Sequence, residues 1–339
     1  MFRKLIDKIV SRDTLEIRVA MVGPRRAGKT SMLSAMYERF ENALISEGVS
    51  DQVSLSADAD TMHILSANYK ELIHVIKSGK NIAEAITGDS EARSYSFDLK
   101  RSRNTTDVQI HLSFQDYPGG WLMAGVRGTN NKDYQQVLSF IRDAHVLLVA
   151  VDAPYLMEED GKWHEQRNMP NLVARTVKES WATSDETPRM VIFVPIKCEK
   201  YDMTNLGRKN LVGRVREGYA ELIAHLATMP CCAVLCAPAQ TTGCVMFDHF
   251  LKEEDGAVPT PVFSMPEDRG YRPRDCSQTL RYCLVYALKR YVKDAGMGVV
   301  GHIREFFKLD RNFVDAAKIL AAGCRGTFFQ TMNRKEVTA

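Results

Sequence analysis

Val146–Val151 (VLLVAV), Met190–Pro195 (MVIFVP) and Ala233–Ala237 (AVLCA) are apolar at every position. Short continuous runs of this kind read as strands buried on both faces. LEIRVAMV at 15–22 reads as a fourth, with Leu15, Ile17, Val19 and Met21–Val22 apolar. Between these runs the pattern becomes helical near 132–144, 170–182 and 206–228. Strands alternating with helices predict a mostly parallel sheet covered on both faces. Ser94–Leu99 and Val108–Phe114 flank the turn-rich Arg103–Thr106 instead. That pattern predicts one antiparallel hairpin at an edge of the sheet.

Three regions fall outside this alternation. Residues 1–13 place Phe2, Leu5, Ile6, Ile9 and Val10 on one face of a short basic helix. The expectation is a helix docked on its own domain rather than on a membrane. Residues 48–92 read as an insertion with a helical centre. Residues 250–275 are rich in Pro, Gly and charge and read as a linker or long loop. Beyond it, 276–295, 299–307 and 312–322 read as helices. In the first of these, Gln278, Lys289 and Lys293 fall away from the face made by Leu280, Leu284, Ala287 and Tyr291. The predicted organisation is an N-terminal helix (1–13), a main α/β domain (14–249), and a linker with a helical C-terminal appendage (250–339).

Gly23-Pro24-Arg25-Arg26-Ala27-Gly28-Lys29-Thr30 fits G-x-x-x-x-G-K-[ST], and Ser31–Phe40 then reads as an amphipathic helix. Strand, glycine loop and helix in that order form a phosphate cradle. Backbone N–H groups turn inward and the helix N-terminus adds a positive dipole end. The fold expected is therefore a three-layer P-loop NTPase. Gly23, Arg26, Ala27, Gly28, Lys29, Thr30 and Ser31 would hold the phosphates. Lys29 would reach the β- and γ-phosphates, and the Thr30 hydroxyl would bind Mg²⁺.

Asp116-Tyr117-Pro118-Gly119 ends the second hairpin strand. Asp116 can hold Mg²⁺ through water, and the Gly119 N–H can meet the γ-phosphate. Ile196-Lys197-Cys198-Glu199 ends a later strand, where GTP-binding folds carry [Asn/Thr]-Lys-x-Asp. Lys197 keeps the aliphatic stem that lies against the base, and Glu199 keeps the carboxylate on a longer arm. Ile196 loses a polar contact. Ala237, in Cys236–Ala239, falls where a backbone N–H would meet the guanine carbonyl. Thr87 is the candidate for covering Mg²⁺ from the segment before the hairpin.

With these residues and the strand-and-aspartate run VLLVAVDA at 146–153 in order, the chain resembles a small-GTPase-type, translation-factor-related P-loop GTPase over roughly residues 15–245. The segment Asp116–Leu122 (DYPGGWL), together with Lys197–Glu199, is similar to the bacterial double-GTPase families of conflict and defence systems. The resemblance implies a GTP/GDP-bound, Mg²⁺-dependent switch that acts with a protein effector or a second GTPase. GTPases often place a Gln directly after Asp-x-x-Gly to orient the attacking water, and here that position is Gly120. Arg25 lies inside the phosphate loop, at a position whose side chain can approach the γ-phosphate and supply transition-state charge in cis; an Arg turned to solvent or salt-bridged across the loop is the competing expectation. Slow hydrolysis that needs a partner or a homodimer follows. A regulatory ATPase and a nucleotide-binding module without turnover stay open, the first because of Ile196 and Glu199, the second because of Gly120.

Bulk properties trim the alternatives. A net charge of +3 is too near balance to argue for nucleic acid, and no basic run is interleaved with aromatics. No stretch reaches the ~18 apolar residues of a membrane span, and the first residues lack a signal-peptide core. The eight cysteines form no C-x-x-C pair. They read as buried reduced thiols, which points to the cytoplasm.

Overall fold

The computed structural model describes residues 14–78, 92–101, 108–127, 131–251, 257–266, 270–295 and 311–330. The N-terminal helix, Thr87, the turn at 103–106 and the helix at 299–307 lie outside these residues. In chain order the first half runs β1 (Leu15–Val22), α1 (Lys29–Ser46), β2 (Ser54–Ala57), α2 (Ala59–Ser78), β3 (Arg93–Lys100), β4 (Val108–Asp116), α3 (Gly119–Arg127), α4 (Lys132–Asp143) and β5 (Val146–Asp152). Then come α5 (Ala153–Met157), α6 (His164–Asn168), α7 (Pro170–Ser180), β6 (Arg189–Ile196), α8 (Asn205–Gly218), α9 (Ala220–Leu226) and β7 (Cys232–Cys236). The remainder is β8 (Met246–Leu251), β9 (Thr260–Ser264), α10 (Cys276–Ala295), α11 (Arg311–Ala322) and β10 (Thr327–Gln330).

One eight-stranded sheet carries the fold, in the order β10-β7-β6-β5-β1-β4-β3-β2. Its centre, β4-β1-β5-β6-β7, is parallel. The expected hairpin is present as β3 and β4, with Phe97 opposite Leu112. It is not the end of the sheet, because β2 pairs antiparallel with β3 outside it. At the far edge β10 pairs antiparallel with β7. Both extra strands span only four residues. Runs that short carry almost no period-2 signal.

Alternation along the central strands divides the core in two. Ile17, Val19 and Met21 of β1 join Val146 and Leu148 of β5 on one face, against Met32, Met36 and Phe40 of α1. Ala20 and Val22 join Leu147, Val149 and Val151 on the other face, against α4, α7, α8 and α9. Each large side chain buried in this way is worth about 2 kcal/mol in transfer free energy.

The C-terminal helices belong to the first of these layers. Leu280, Leu284, Ala287 and Tyr291 of α10 lie in the same cluster as α1. Here the side assigned to solvent differs from expectation, since Gln278 is buried. Its amide donates to Gly323 O at 3.1 Å and accepts from Arg325 N at 2.9 Å. The chain that follows α11 covers that side. Arg281 is also buried and donates to Glu47 Oε2, just past α1, at 2.6 Å. This ion pair fixes α10 to the helix that begins at the phosphate loop. The segment expected to be a linker or long loop, 250–275, holds β9 and the end of β8, which pair as a second small sheet.

Candidate nucleotide-binding site

The loop after β1 crosses the carboxyl ends of the central strands, where open α/β sheets place their ligands. Gly23 lies so close to β5 that a Cβ there would come within 2.9 Å of the Ala150 Cβ. Gly28 adopts a φ of 101°, a left-handed conformation that glycine adopts freely, and α1 starts at the next residue. Lys29 is buried, with Nζ 3.6 Å from Asp116 Oδ1. Thr30 Oγ1 donates to Asp116 Oδ2 at 3.1 Å. The structure thus brings Lys29, Thr30 and Asp116 together from two neighbouring strands.

Gly119 opens α3 directly on the phosphate loop. A Cβ at Gly119 would lie 2.2 Å from Arg25 N and 2.5 Å from Pro24 C, so only glycine fits. Gly120 is surrounded by open space. Arg25 and Arg26 are both exposed, and both line the cleft.

The far end of the cleft begins at Lys197. Its φ of 53° puts a long side chain in the left-handed region. Two hydrogen bonds hold it there: Nζ donates to Arg26 O at 2.9 Å and to Asp152 Oδ2 at 2.7 Å. Asp152 is fully buried at the end of β5. Its own backbone is fixed by Asn168, which accepts from Asp152 N at 2.8 Å and donates to Asp152 O at 3.1 Å. Glu199 is also buried. Its Oε1 accepts from Thr242 N at 3.0 Å, Thr242 Oγ1 at 2.8 Å and Gly243 N at 3.2 Å. Burial pushes this carboxyl above the usual carboxylate range, and the bonds from Thr242 and Gly243 oppose the shift. Burial likewise pushes the neighbouring Cys198 thiol far up, which keeps it protonated and unreactive.

Both ends open into one cleft of about 330 Å³. Asp116 ends β4 and Glu199 lies three residues past the end of β6, with β1 and β5 between these two strands. At strand spacing that is a span of about 14 Å, enough to separate a phosphate end from a base end. A family model described as Double-GTPase 2 matches residues 17–234, more than half of the chain. The chain belongs to the Double-GTPase 2 family.

The solved structures that match are more distant. The Saccharomyces cerevisiae Ski7 GTPase-like domain, bound to GDP and inorganic phosphate, matches at 13% identity with a TM-score of 0.38. The match covers 71% of this chain and 45% of that one, so this chain spans less than half the Ski7 chain's length. The same domain bound to GTP matches at 11% identity and a TM-score of 0.37, over 71% and 45% of the two chains. Methanosarcina barkeri Roco2 RocCORdC, bound to GDP, matches at 11% identity and a TM-score of 0.27, over 91% and 69%. No curated protein matches the chain significantly.

In this Double-GTPase 2 chain the base-side loop departs from the sequence expectation at Ala237. Its N–H donates to Phe193 O at 2.9 Å, and Ala239 N donates to Pro195 O at 2.9 Å. Pairing with β6 runs past β7 and consumes the N–H that was expected to meet the base. Thr241 and Thr242 line the cleft instead. Asp152, which holds Lys197, belongs to the strand-and-aspartate run VLLVAVDA and was legible there. Two positions that line the cleft gave little sequence signal. Tyr155 and Phe263 reach the cleft from elements that carry no motif.

Proposed function

We propose that this chain is a GTP-binding switch that hydrolyses GTP slowly by itself and completes its catalytic set on meeting a protein partner. The observation that carries the reading is the joining of Lys29–Thr30–Asp116 and Lys197–Glu199 in one cleft, in a chain of the Double-GTPase 2 family. Lys29 and the loop N–H groups would hold the phosphates. Thr30 and Asp116 would hold Mg²⁺, and their all-oxygen donor set suits a hard cation. Among the described residues no cluster of three His, Cys, Asp or Glu forms a protein-only cage. That fits an ion completed by phosphate and water. The ion would neutralise charge on the β- and γ-phosphates.

Partner dependence rests on two features. Gly120 offers no side chain to orient water, and Arg25 is exposed to solvent. The partner is a protein effector, a second GTPase or a second copy of the chain. A place in a bacterial conflict or defence system is the process the family resemblance favours, and neighbouring genes would test it. The regulatory-ATPase reading keeps one specific support. Ile196 is buried where GTP-binding folds carry a polar residue, and Glu199 Oε1 is already committed to Thr242 and Gly243.

Calorimetric titration with GTP and ATP, both with Mg²⁺, separates the two. GTP is expected to bind at least about 10-fold tighter, a difference of about 1.4 kcal/mol. Equal affinities assign the chain to the ATPase reading. Single-turnover hydrolysis should be slow at low protein concentration, and a fast isolated monomer removes the partner requirement.

A further inference from the structure

We propose that Phe263, on the β8–β9 hairpin, is the aromatic platform on which the nucleobase stacks. It makes a segment outside the family-matched residues part of the nucleotide site. The proposal rests on the nucleotide reading above and adds to it the residue that receives the base. Phe263 lines the cleft together with Lys197, Glu199 and Thr242, the groups of the base end. Lys197 Nζ lies 5.8 Å from the centroid of its ring, within cation–π range. An aromatic face and the Lys197 stem therefore stand at the same end of the cleft, beside a buried carboxylate.

The hairpin is held firmly enough to serve as a wall. Tyr155 OH donates to Pro259 O at 2.8 Å in a buried contact. The Tyr155 ring also meets Phe250 at 5.0 Å. Lys200 Nζ sits 4.9 Å from the centroid of the Phe247 ring, and Phe247 meets Phe263 edge-on at 6.1 Å. Behind Phe263 lies a small apolar cluster of Leu72, Ile76, Cys244 and Val245, shared with α2. The ring is therefore fixed from behind, and it is only half-buried.

The base end has a reason to need such a platform. Ile196 supplies no polar contact, and the Ala237 N–H is spent on β6. Two of the polar contacts expected for a base are absent, which leaves more of the binding to an apolar surface. Stacking accepts any purine, because every base presents a π-face. Discrimination between guanine and adenine then falls to Glu199 and the Thr241–Thr242 loop.

The test uses the full chain with Mg²⁺, GTP, and inorganic triphosphate as a probe that has no base. Phe263→Leu keeps an apolar side chain for the cluster and removes the ring face. Phe263→Tyr restores the ring. The expected result is GTP affinity weakened about 10-fold in F263L, within the range for one stacked base, and recovered in F263Y. Triphosphate affinity should be unchanged in both. If F263L binds GTP as the unaltered chain does, the platform is overturned. If F263L loses GTP and triphosphate equally, Phe263 only supports the cleft and the proposal is again overturned. The underlying reading fails separately: Lys29→Ala would then leave GTP and triphosphate binding intact.

Discussion

The phosphate end of the cleft takes its groups from one loop, Gly23–Thr30, and one turn, Asp116–Gly119, whereas the base end is assembled from β6, the β5 terminus, the Thr241–Gly243 loop and the β8–β9 hairpin. The first is made largely of backbone, and its geometry is set by adjacent residues. The second depends on side chains that meet over long sequence distances. Lys197 is held by Asp152, Asp152 by Asn168, and the loop by Glu199. A local site stands or falls with single contacts. A distributed site loses affinity in steps and can be tuned without losing its grip on phosphate. A base-free probe such as inorganic triphosphate separates the two.

The largest effect belongs to the phosphate end. Lys29→Ala removes a buried cation that already faces Asp116 at 3.6 Å. GTP and triphosphate affinities should both fall by at least about 100-fold, since charge-assisted contacts to phosphate are the strong ones. Calorimetry with both ligands checks this. A loss confined to GTP would place Lys29 at the wrong end.

Gly119→Ala should come next. The added Cβ has to displace either α3 or the backbone at Pro24–Arg25. Hydrolysis should drop at least about 10-fold, because the N–H proposed to meet the γ-phosphate moves with the helix. GDP affinity should change by less than about 3-fold, because GDP has no γ-phosphate to meet that N–H. Single-turnover rates and GDP titrations read the two separately.

At the base end, Glu199→Ala leaves Thr242 and Gly243 without their acceptor. Such orphaned buried donors cost about 1–3 kcal/mol, so the thermal midpoint should fall. GTP affinity should fall about 10-fold while triphosphate binding holds. Glu199→Gln keeps an acceptor oxygen and should recover most of the stability. If it also recovers full preference for GTP over ATP, the charge of Glu199 is not what reads the base.

The same division marks what was legible in the sequence. The central strands, the phosphate loop and the β3–β4 pairing announce themselves through contiguous patterns, and the structure carries them, although β2 and not the hairpin forms the edge. β2 and β10 are too short for a period to show. Gln278 reads as exposed until the chain after α11 folds back over it. The Ala237 N–H is taken up because a ladder's end is set by its partner strand, here Phe193 and Pro195, and not by its own residues. Phe263 had no motif. Its place follows from where Tyr155 clamps the hairpin, a contact between residues about a hundred positions apart.

Gly120→Gln tests the phosphate end by gain rather than loss. The open space around Gly120 accepts a side chain without displacing its neighbours. If water orientation is what the switch lacks, single-turnover hydrolysis should rise about 10-fold without a partner. An unchanged rate would assign the missing function to charge, supplied by Arg25 or by a partner.

The smallest effect comes from acid acting through the scaffold of the base end. Asn168 Oδ1 accepts from Asp152 N, so its Nδ2 is a donor, and it faces His164 Nδ1 at 3.0 Å. His164 must therefore accept there and stay neutral, with Nε2 turned to Gly218 O at 3.4 Å. Burial lowers its pKa to about 4, the Gly218 carbonyl partly opposes this, and Arg214 adds to it. Between the ordinary value of about 6.5 and about 4 the unfolded chain binds a proton that the native chain does not. The stability from His164 is thus complete above pH 6.5 and is lost as pH falls through about 4. Thermal midpoints should decline over that window, and His164→Gln should flatten part of the slope. With Glu199→Gln removing the raised carboxyl, the ratio of GTP to triphosphate affinity should hold to about pH 5 and drop only near pH 4, where a protonated His164 would turn a second donor on Asn168 and loosen Asp152 and Lys197. A ratio that falls in step from pH 6.5 would mean that the base end senses a different group.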